Sequence, residues 1–137
     1  FPGSGLRGIK EITGYSSTGM AAKVFSAPSP VNWMTDPLRN KWIADPLALD
    51  SAFQLATLWC YAEKGVVSLP SYNATYRQYR SAFPAGDITV VLEITDTTHH
   101  KMKGNFTFLD EAGTVIARME GYETTFRITL PKEGPGR

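Results

Sequence analysis

One stretch of this chain reads as helix, and nearly everything around it reads as strand. Asp45 suits a helix cap and Pro46 the first helical position. Good helix formers then run to Lys64, where Gly65 can stop the helix. A helix over 45–64 has about four to five turns. A lone helix of that length needs a sheet to cover its apolar surface.

The flanks supply that sheet. Leu6–Thr13 and Thr18–Ala27 read as two strands joined around Gly14, with β-branched and apolar residues outnumbering breakers. Residues 28–44 hold Pro28, Pro30 and Pro37 with Asn32 and Asn40, which forbids a continuous element. Val31, Trp33, Met34 and Trp42 are too apolar for a solvated loop, so this segment is expected to pack on the body of the domain. After Gly65, Val66–Arg80 is expected as a strand with Pro70 near its start. Ile88–Thr95 places Ile88, Val90, Leu92 and Ile94 on one face, and Met102–Leu109 does the same with Met102, Gly104, Phe106 and Phe108. Asp110-Glu111-Ala112-Gly113 is a hairpin connection into a last strand from Thr114 to about Thr129. No segment repeats. The order is two strands, a long loop, one helix and a four-stranded meander. The economical α+β solution is a curved antiparallel sheet wrapped around the long central helix, which is the hotdog layout.

Composition narrows the function classes. At 137 residues the chain falls in the one-domain range. We expect a single domain over 1–131 and a polar tail over 132–137, and a start at Phe1 rather than Met suggests a piece excised from something longer. A hydrophobic fraction of 42% can build a real core, and a net charge of +1 offers no bulk attraction to nucleic acid or to an anionic membrane. The most apolar stretch, Phe53–Ala62, is broken by Gln54 and Thr57 and falls short of the roughly 18–20 residues of a spanning helix. No signal-peptide pattern opens the chain. Cys60 is the only cysteine, so no internal disulfide is possible and a reducing, cytoplasmic setting is expected; no Cys/His cluster has zinc spacing, so no metal is expected.

Within the helix, Leu49, Phe53, Ala56 and Cys60 fall on one line, expected to press on the sheet. Ala48, Ala52, Leu55, Leu58 and Trp59 make most of the remaining circumference apolar, so burial on nearly all sides is expected. Asp50, Gln54, Thr57 and Tyr61 form a separate stripe, with spacings that bring neighbours together one turn apart. A carboxylate and a carboxamide so spaced can hydrogen-bond. An ionisable group on a buried helix is either satisfied structurally or kept for acid–base chemistry. Burial would raise the pKa of Asp50, the helix N-terminus would lower it, and the sequence leaves the balance open.

Other chemistry-bearing residues have ordinary readings beside functional ones. His99 and His100, the only histidines, sit between two strands and read as an exposed turn rather than a base. Cys60 reads as a buried inert thiol. Arg77 and Arg80 with Tyr72, Tyr76 and Tyr79 suit either sheet-face pairs or contact with an anionic partner. Trp33, Met34 and Trp42 either line a binding channel or cover the helix end.

DPLALDSAFQ (45–54) resembles the HPxxLDxxxQ segment in the second half of polyketide synthase dehydratase domains, including those of polyunsaturated fatty acid synthases. FPGSGLRGIKEI (1–12) resembles the FHGPxFQGIxxI segment that opens the same half, and SLPSYNATYRQYR (68–80) its LPxxxxxVRxH strand. Asp45 stands where that family usually has His before Pro, and Pro2 and Ser4 alter the HGP pattern. The resemblance implies one half of a double hotdog that dehydrates a 3-hydroxyacyl chain to the trans-2-enoyl thioester. The chain is carried on the phosphopantetheine of an acyl carrier protein, with no cofactor bound by the domain. It implies Asp50 as the acid at the departing hydroxyl and Gln54 as its orienting partner. Thr57 and Tyr61 on the same helix stripe and Trp33 and Met34 in the apolar loop are the substrate-binding candidates. The family's catalytic His lies in an HxxxGxxxxP motif of the first half, which this sequence lacks. An upstream hotdog half or a second copy is therefore an expected partner, alongside the carrier protein. The alternative is a non-catalytic hotdog module, pseudo-dehydratase or product-template-like, that holds an acyl chain or scaffolds the synthase.

Overall fold

The computed structural model describes residues 8–25, 46–70, 74–80, 83–84 and 86–127. The elements are β1 (Ile9–Ser16), β2 (Gly19–Val24), α1 (Pro46–Lys64), β3 (Val67–Pro70), β4 (Thr75–Gln78), β5 (Ile88–Thr97), β6 (Lys101–Leu109) and β7 (Val115–Arg127). The strands form one seven-stranded sheet in the order β1-β2-β5-β6-β7-β3, with β4 also on β7. Every pairing is antiparallel. The helix lies on one face of the curled sheet and packs on β2, β3 and β5. This is the α+β hotdog layout expected from the sequence. Trp33, Met34, Trp42 and the rest of the long loop, along with Asp45, Tyr72 and the 132–137 tail, lie outside the described residues.

Alternation sets the core as the periodicity predicts. Ile88, Val90 and Leu92 on β5 and Met102, Phe106 and Phe108 on β6 are all buried, with Gly104 among them, and Ile94 is half-buried. The helix ends where expected. Gly65 takes φ 67° and its N–H donates to the Tyr61 carbonyl at 2.9 Å, a left-handed stop that suits glycine.

Two strand boundaries differ from expectation. The first hairpin does not turn around Gly14. β1 continues to Ser16, which pairs with Gly19, and the turn is Ser17-Thr18, held by the Thr18 N–H donating to Ser16 Oγ at 3.1 Å. Gly14 instead sits in the strand beside a register shift, where a bulge bends the chain. The single strand expected over Val66–Arg80 is two strands, β3 and β4, both paired along β7. Pro70 has no N–H with which to continue a ladder, and β3 ends there. The meander expected after the helix is thus five strands.

The line expected to press on the sheet does so: Ala56 and Cys60 are fully buried, and Leu49 and Phe53 are half-buried against the core. The inner face is wider than that line, since Ala48, Ala52, Leu55 and Trp59, with Ser51 beside them, are fully buried as well. Near Ser51 the start of β1 comes close to the helix. Gly8 shows how close: a Cβ added there would lie 1.7 Å from Ser51 Oγ.

Candidate functional site

The stripe of Asp50, Gln54, Thr57 and Tyr61 lies on the side of α1 away from the Ala48–Trp59 line. Asp50 and Tyr61 are exposed, and Gln54 and Thr57 half-buried. The helix is thus not buried on nearly all sides as expected: among the described residues the sheet covers one side of it, and Asp50 and Tyr61 on the other stand exposed. The sequence put its polar residues on the open side.

Asp50 and Gln54 are brought together. Gln54 Nε2 donates to Asp50 Oδ2 at 2.8 Å, a direction fixed by the chemistry, since a carboxylate only accepts. Gln54 Oε1 is buried without a hydrogen-bond partner. Thr57 turns its hydroxyl to the Phe53 carbonyl at 3.1 Å, so in this arrangement it bonds its own helix. Tyr61 continues the stripe one turn further, with nearly half its surface exposed.

The opposite face holds this stripe in position. Ser51, next to Asp50, donates to the Leu47 carbonyl at 2.7 Å and meets Gly8 at the head of β1. Phe53 stacks on Tyr122 of β7 at 5.5 Å between centroids and meets Phe106 of β6 edge-on at 6.4 Å. Trp59, fully buried, donates its indole N–H to the Ser16 carbonyl at 3.1 Å, and the Tyr15 hydroxyl donates to the Glu63 carboxylate. Gly8, Ser51, Phe53 and Tyr122 were not singled out as site-positioning residues in the sequence. A small residue on the helix facing a glycine at the start of a strand was the available signal for the first two.

The remaining candidates resolve into ordinary roles. His99 and His100 are exposed between β5 and β6, where the His100 carbonyl accepts the Phe126 N–H at 2.7 Å. Burial pushes the Cys60 thiol up to about 11, against smaller opposing effects of Ser68 and Lys64, so it is not a nucleophile near neutral pH. Arg80 is taken by Asp110 at 2.8 Å. That carboxyl is held below its usual range, chiefly by the Thr114 N–H and further by Arg80. Arg77 is exposed on β4, and the Tyr76 hydroxyl donates to Gln78 Oε1 at 2.6 Å. Among the described residues no three His, Cys, Asp or Glu side chains are grouped to hold a metal, and no helix is long and apolar enough to cross a membrane. The arrangement offers one oriented carboxyl on an open helix face, able to exchange a proton with an oxygen presented there.

Solved structures share the fold. The fold resembles PaaI of the Escherichia coli phenylacetic acid degradation operon, at TM-score 0.64 and 9% identity over 85% of this chain and 82% of that one. It also resembles thioesterase HI1161 of Haemophilus influenzae, at TM-score 0.64 and 10% identity over 90% and 81%. A third neighbour, smu.793 of Streptococcus mutans bound to acetyl CoA, matches at TM-score 0.65 and 6% identity over 85% and 87%. At such identities the likeness shows the hotdog fold alone. No curated protein matches the chain. The family described as polyketide synthase dehydratase N-terminal domain matches residues 3–127, and the chain belongs to that polyketide synthase dehydratase family.

Proposed function

We propose that this chain is the second half of a dehydratase domain in a polyketide or polyunsaturated fatty acid synthase. In this reading it takes a 3-hydroxyacyl chain on the phosphopantetheine of an acyl carrier protein to the trans-2-enoyl thioester. The observation that carries the proposal is the hydrogen bond from Gln54 Nε2 to Asp50 Oδ2 on the open side of α1. That bond points one carboxyl oxygen at the amide and leaves the other for a departing hydroxyl, to which Asp50 gives a proton as water leaves. The family description names the N-terminal domain. Assignment to the second half rests on the LDxxxQ spacing of Leu49, Asp50 and Gln54 and on the lack of an HxxxGxxxxP motif in the sequence. Elimination also needs a base at Cα, so the reading requires a His from a paired half.

The sheet edges support pairing at β3. On β1 the ladder is interrupted by two register shifts, and Lys10 and Glu11 stand near that edge. β3 runs in regular register with β7 and exposes Val67 and Leu69, at 43% and 49%. A regular edge with apolar side chains is one that a second sheet covers. The thioester class fits a fold whose neighbour smu.793 is bound to acetyl CoA, itself a pantetheine thioester. Thr57, Tyr61, Trp33 and Met34 remain the proposed acyl-facing residues, and the single unpaired Cys60 suits the cytoplasm.

The test extends the chain upstream by one hotdog length and follows water loss from 3-hydroxyacyl-pantetheine by mass. Asp50→Asn is expected to lower turnover by about 10²–10⁴-fold while the protein stays folded. Unchanged turnover in Asp50→Asn removes Asp50 from the chemistry. A folded, extended protein with no turnover supports the non-catalytic acyl-binding module instead.

A further inference from the structure

β7 carries one residue too many for its ladder with β6. Gly104 pairs with Tyr122 and Phe106 with Met119, so Asn105 alone stands opposite both Glu120 and Gly121. In a regular strand, alternation would send Met119 and Tyr122, three positions apart, to opposite faces of the sheet. The extra residue brings both to the core, where Met119 is 7% and Tyr122 1% exposed. Two features hold this bulge. Gly121 takes φ 77°, a left-handed conformation that suits glycine, and its N–H donates to Asn105 Oδ1 at 3.0 Å.

The ring so placed reaches α1. Tyr122 stacks on Phe53 at 5.5 Å with 16° between the ring planes, and Phe106, next to Asn105, meets Tyr122 edge-on at 5.2 Å and Phe53 at 6.4 Å. Phe53 precedes Gln54 and follows Asp50 by three residues, within one turn of helix. Close-packed rings leave that turn little freedom to rotate, so they also set the direction of the Gln54–Asp50 hydrogen bond. We infer that Asn105 and Gly121 are positioning residues for Asp50, acting through Tyr122 and Phe53. The bulge selects the face on which Tyr122 lies, Tyr122 sets Phe53, and the helix turn carries Gln54 and Asp50. The effect on turnover rests on the dehydratase reading above, whereas the effect on the Gln54–Asp50 pair does not.

Nitrogen–proton correlation spectra of the isotope-labelled chain resolve the Gln54 side-chain amide, which reports its bond to Asp50. Asn105→Ala is expected to shift or broaden that signal, and in the upstream-extended protein to lower kcat by about ten- to hundredfold at unchanged KM. Asn105→Asp keeps the acceptor and should restore both in high salt, which screens the new charge from Glu93, its partner position on β5. Thr95→Ala is the control, since it removes the bond from Thr95 Oγ1 to the Lys103 carbonyl at 3.2 Å, beside a bulge on β5 rather than β7. It should leave the Gln54 signal and kcat in place. A Gln54 signal that stays put in folded Asn105→Ala protein, or moves as far in Thr95→Ala, overturns the inference. If the extended wild type shows no turnover, the dehydratase reading fails and the Gln54 signal alone judges the positioning. Should Asn105→Ala not fold, amide exchange in the wild type decides: slow exchange at Gly121 upholds the lock, and exchange as fast as at an exposed strand end overturns it.

Discussion

Gly8→Ala probes the contact that sets α1, and with it Asp50, against the sheet. The new Cβ would stand 1.7 Å from Ser51 Oγ, 3.1 Å from Ser51 Cβ and 3.3 Å from Leu47 Cδ1. The first distance cannot exist, so the Ser51 hydroxyl must swing away from the Leu47 carbonyl it now bonds at 2.7 Å, or β1 must lift off the helix. Overpacking of this kind costs about 1–3 kcal/mol. Replacing glycine also stiffens the unfolded chain, which favours folding by about 0.4–1 kcal/mol. The net expectation is a loss of about 1–2 kcal/mol, read as a lower urea midpoint at unchanged slope. Ser51→Ala removes the atom in the way, so Gly8→Ala in the Ser51→Ala background should cost about 1 kcal/mol less than in the wild type. An unchanged midpoint for Gly8→Ala, or losses that simply add in the double variant, would refute the proposed close approach.

Three further outcomes follow from the same structure. Cys60 should resist a thiol reagent in the native protein and react only on unfolding. Its folded pKa of about 11 exceeds its ordinary 9.0, so the native state holds the proton longer, and stability should fall as pH rises through that interval in denaturant titrations. On the acid side, Asp87, lowered chiefly by its bond from Lys10, and Asp110, lowered chiefly by the Thr114 N–H, have folded pKa values below the ordinary 3.8. Their stabilisation is present above that value and is lost as pH falls through the depressed values, so Asp110→Asn should flatten the acid limb of a stability–pH curve; an unaltered limb would contradict this. Leu69→Lys on the open edge should change monomer stability by no more than about 0.5 kcal/mol yet weaken association with a paired half by light scattering, and undiminished association would place the partner elsewhere.

The hotdog order was legible because two signals were strong. Asp45-Pro46 and Gly65 bracket a run of helix formers, and Ile88–Ile94 and Met102–Phe108 alternate cleanly. The misreadings came where one residue type serves two purposes. Gly14 reads as a turn but occupies a bulge, while the turn itself rests on Ser16 and Thr18, whose side chains are weaker signals. Pro70 reads as lying within one strand over Val66–Arg80, whereas β3 ends there, and that the chain resumes as β4 on the same neighbour is a matter of sheet register. In the helix, apolar residues on most sides hide the true inner face. The buried arc runs from Leu55, Trp59 and Ala48 to Ala56 and Cys60, wider than the one line that the periodicity singled out. The spacing of Asp50 and Gln54 revealed their pairing, whereas their exposure depended on that hidden face.

The central claim is that Asp50 passes a proton to and from an oxygen at C3 of a pantetheine-bound acyl chain. Run in reverse on the upstream-extended protein, with an enoyl-pantetheine in water enriched in heavy oxygen, the reaction should place heavy oxygen at C3. Asp50→Asn should abolish that label and Gln54→Ala reduce it, with both variants folded by circular dichroism. Labelling that persists undiminished in folded Asp50→Asn protein would contradict the claim.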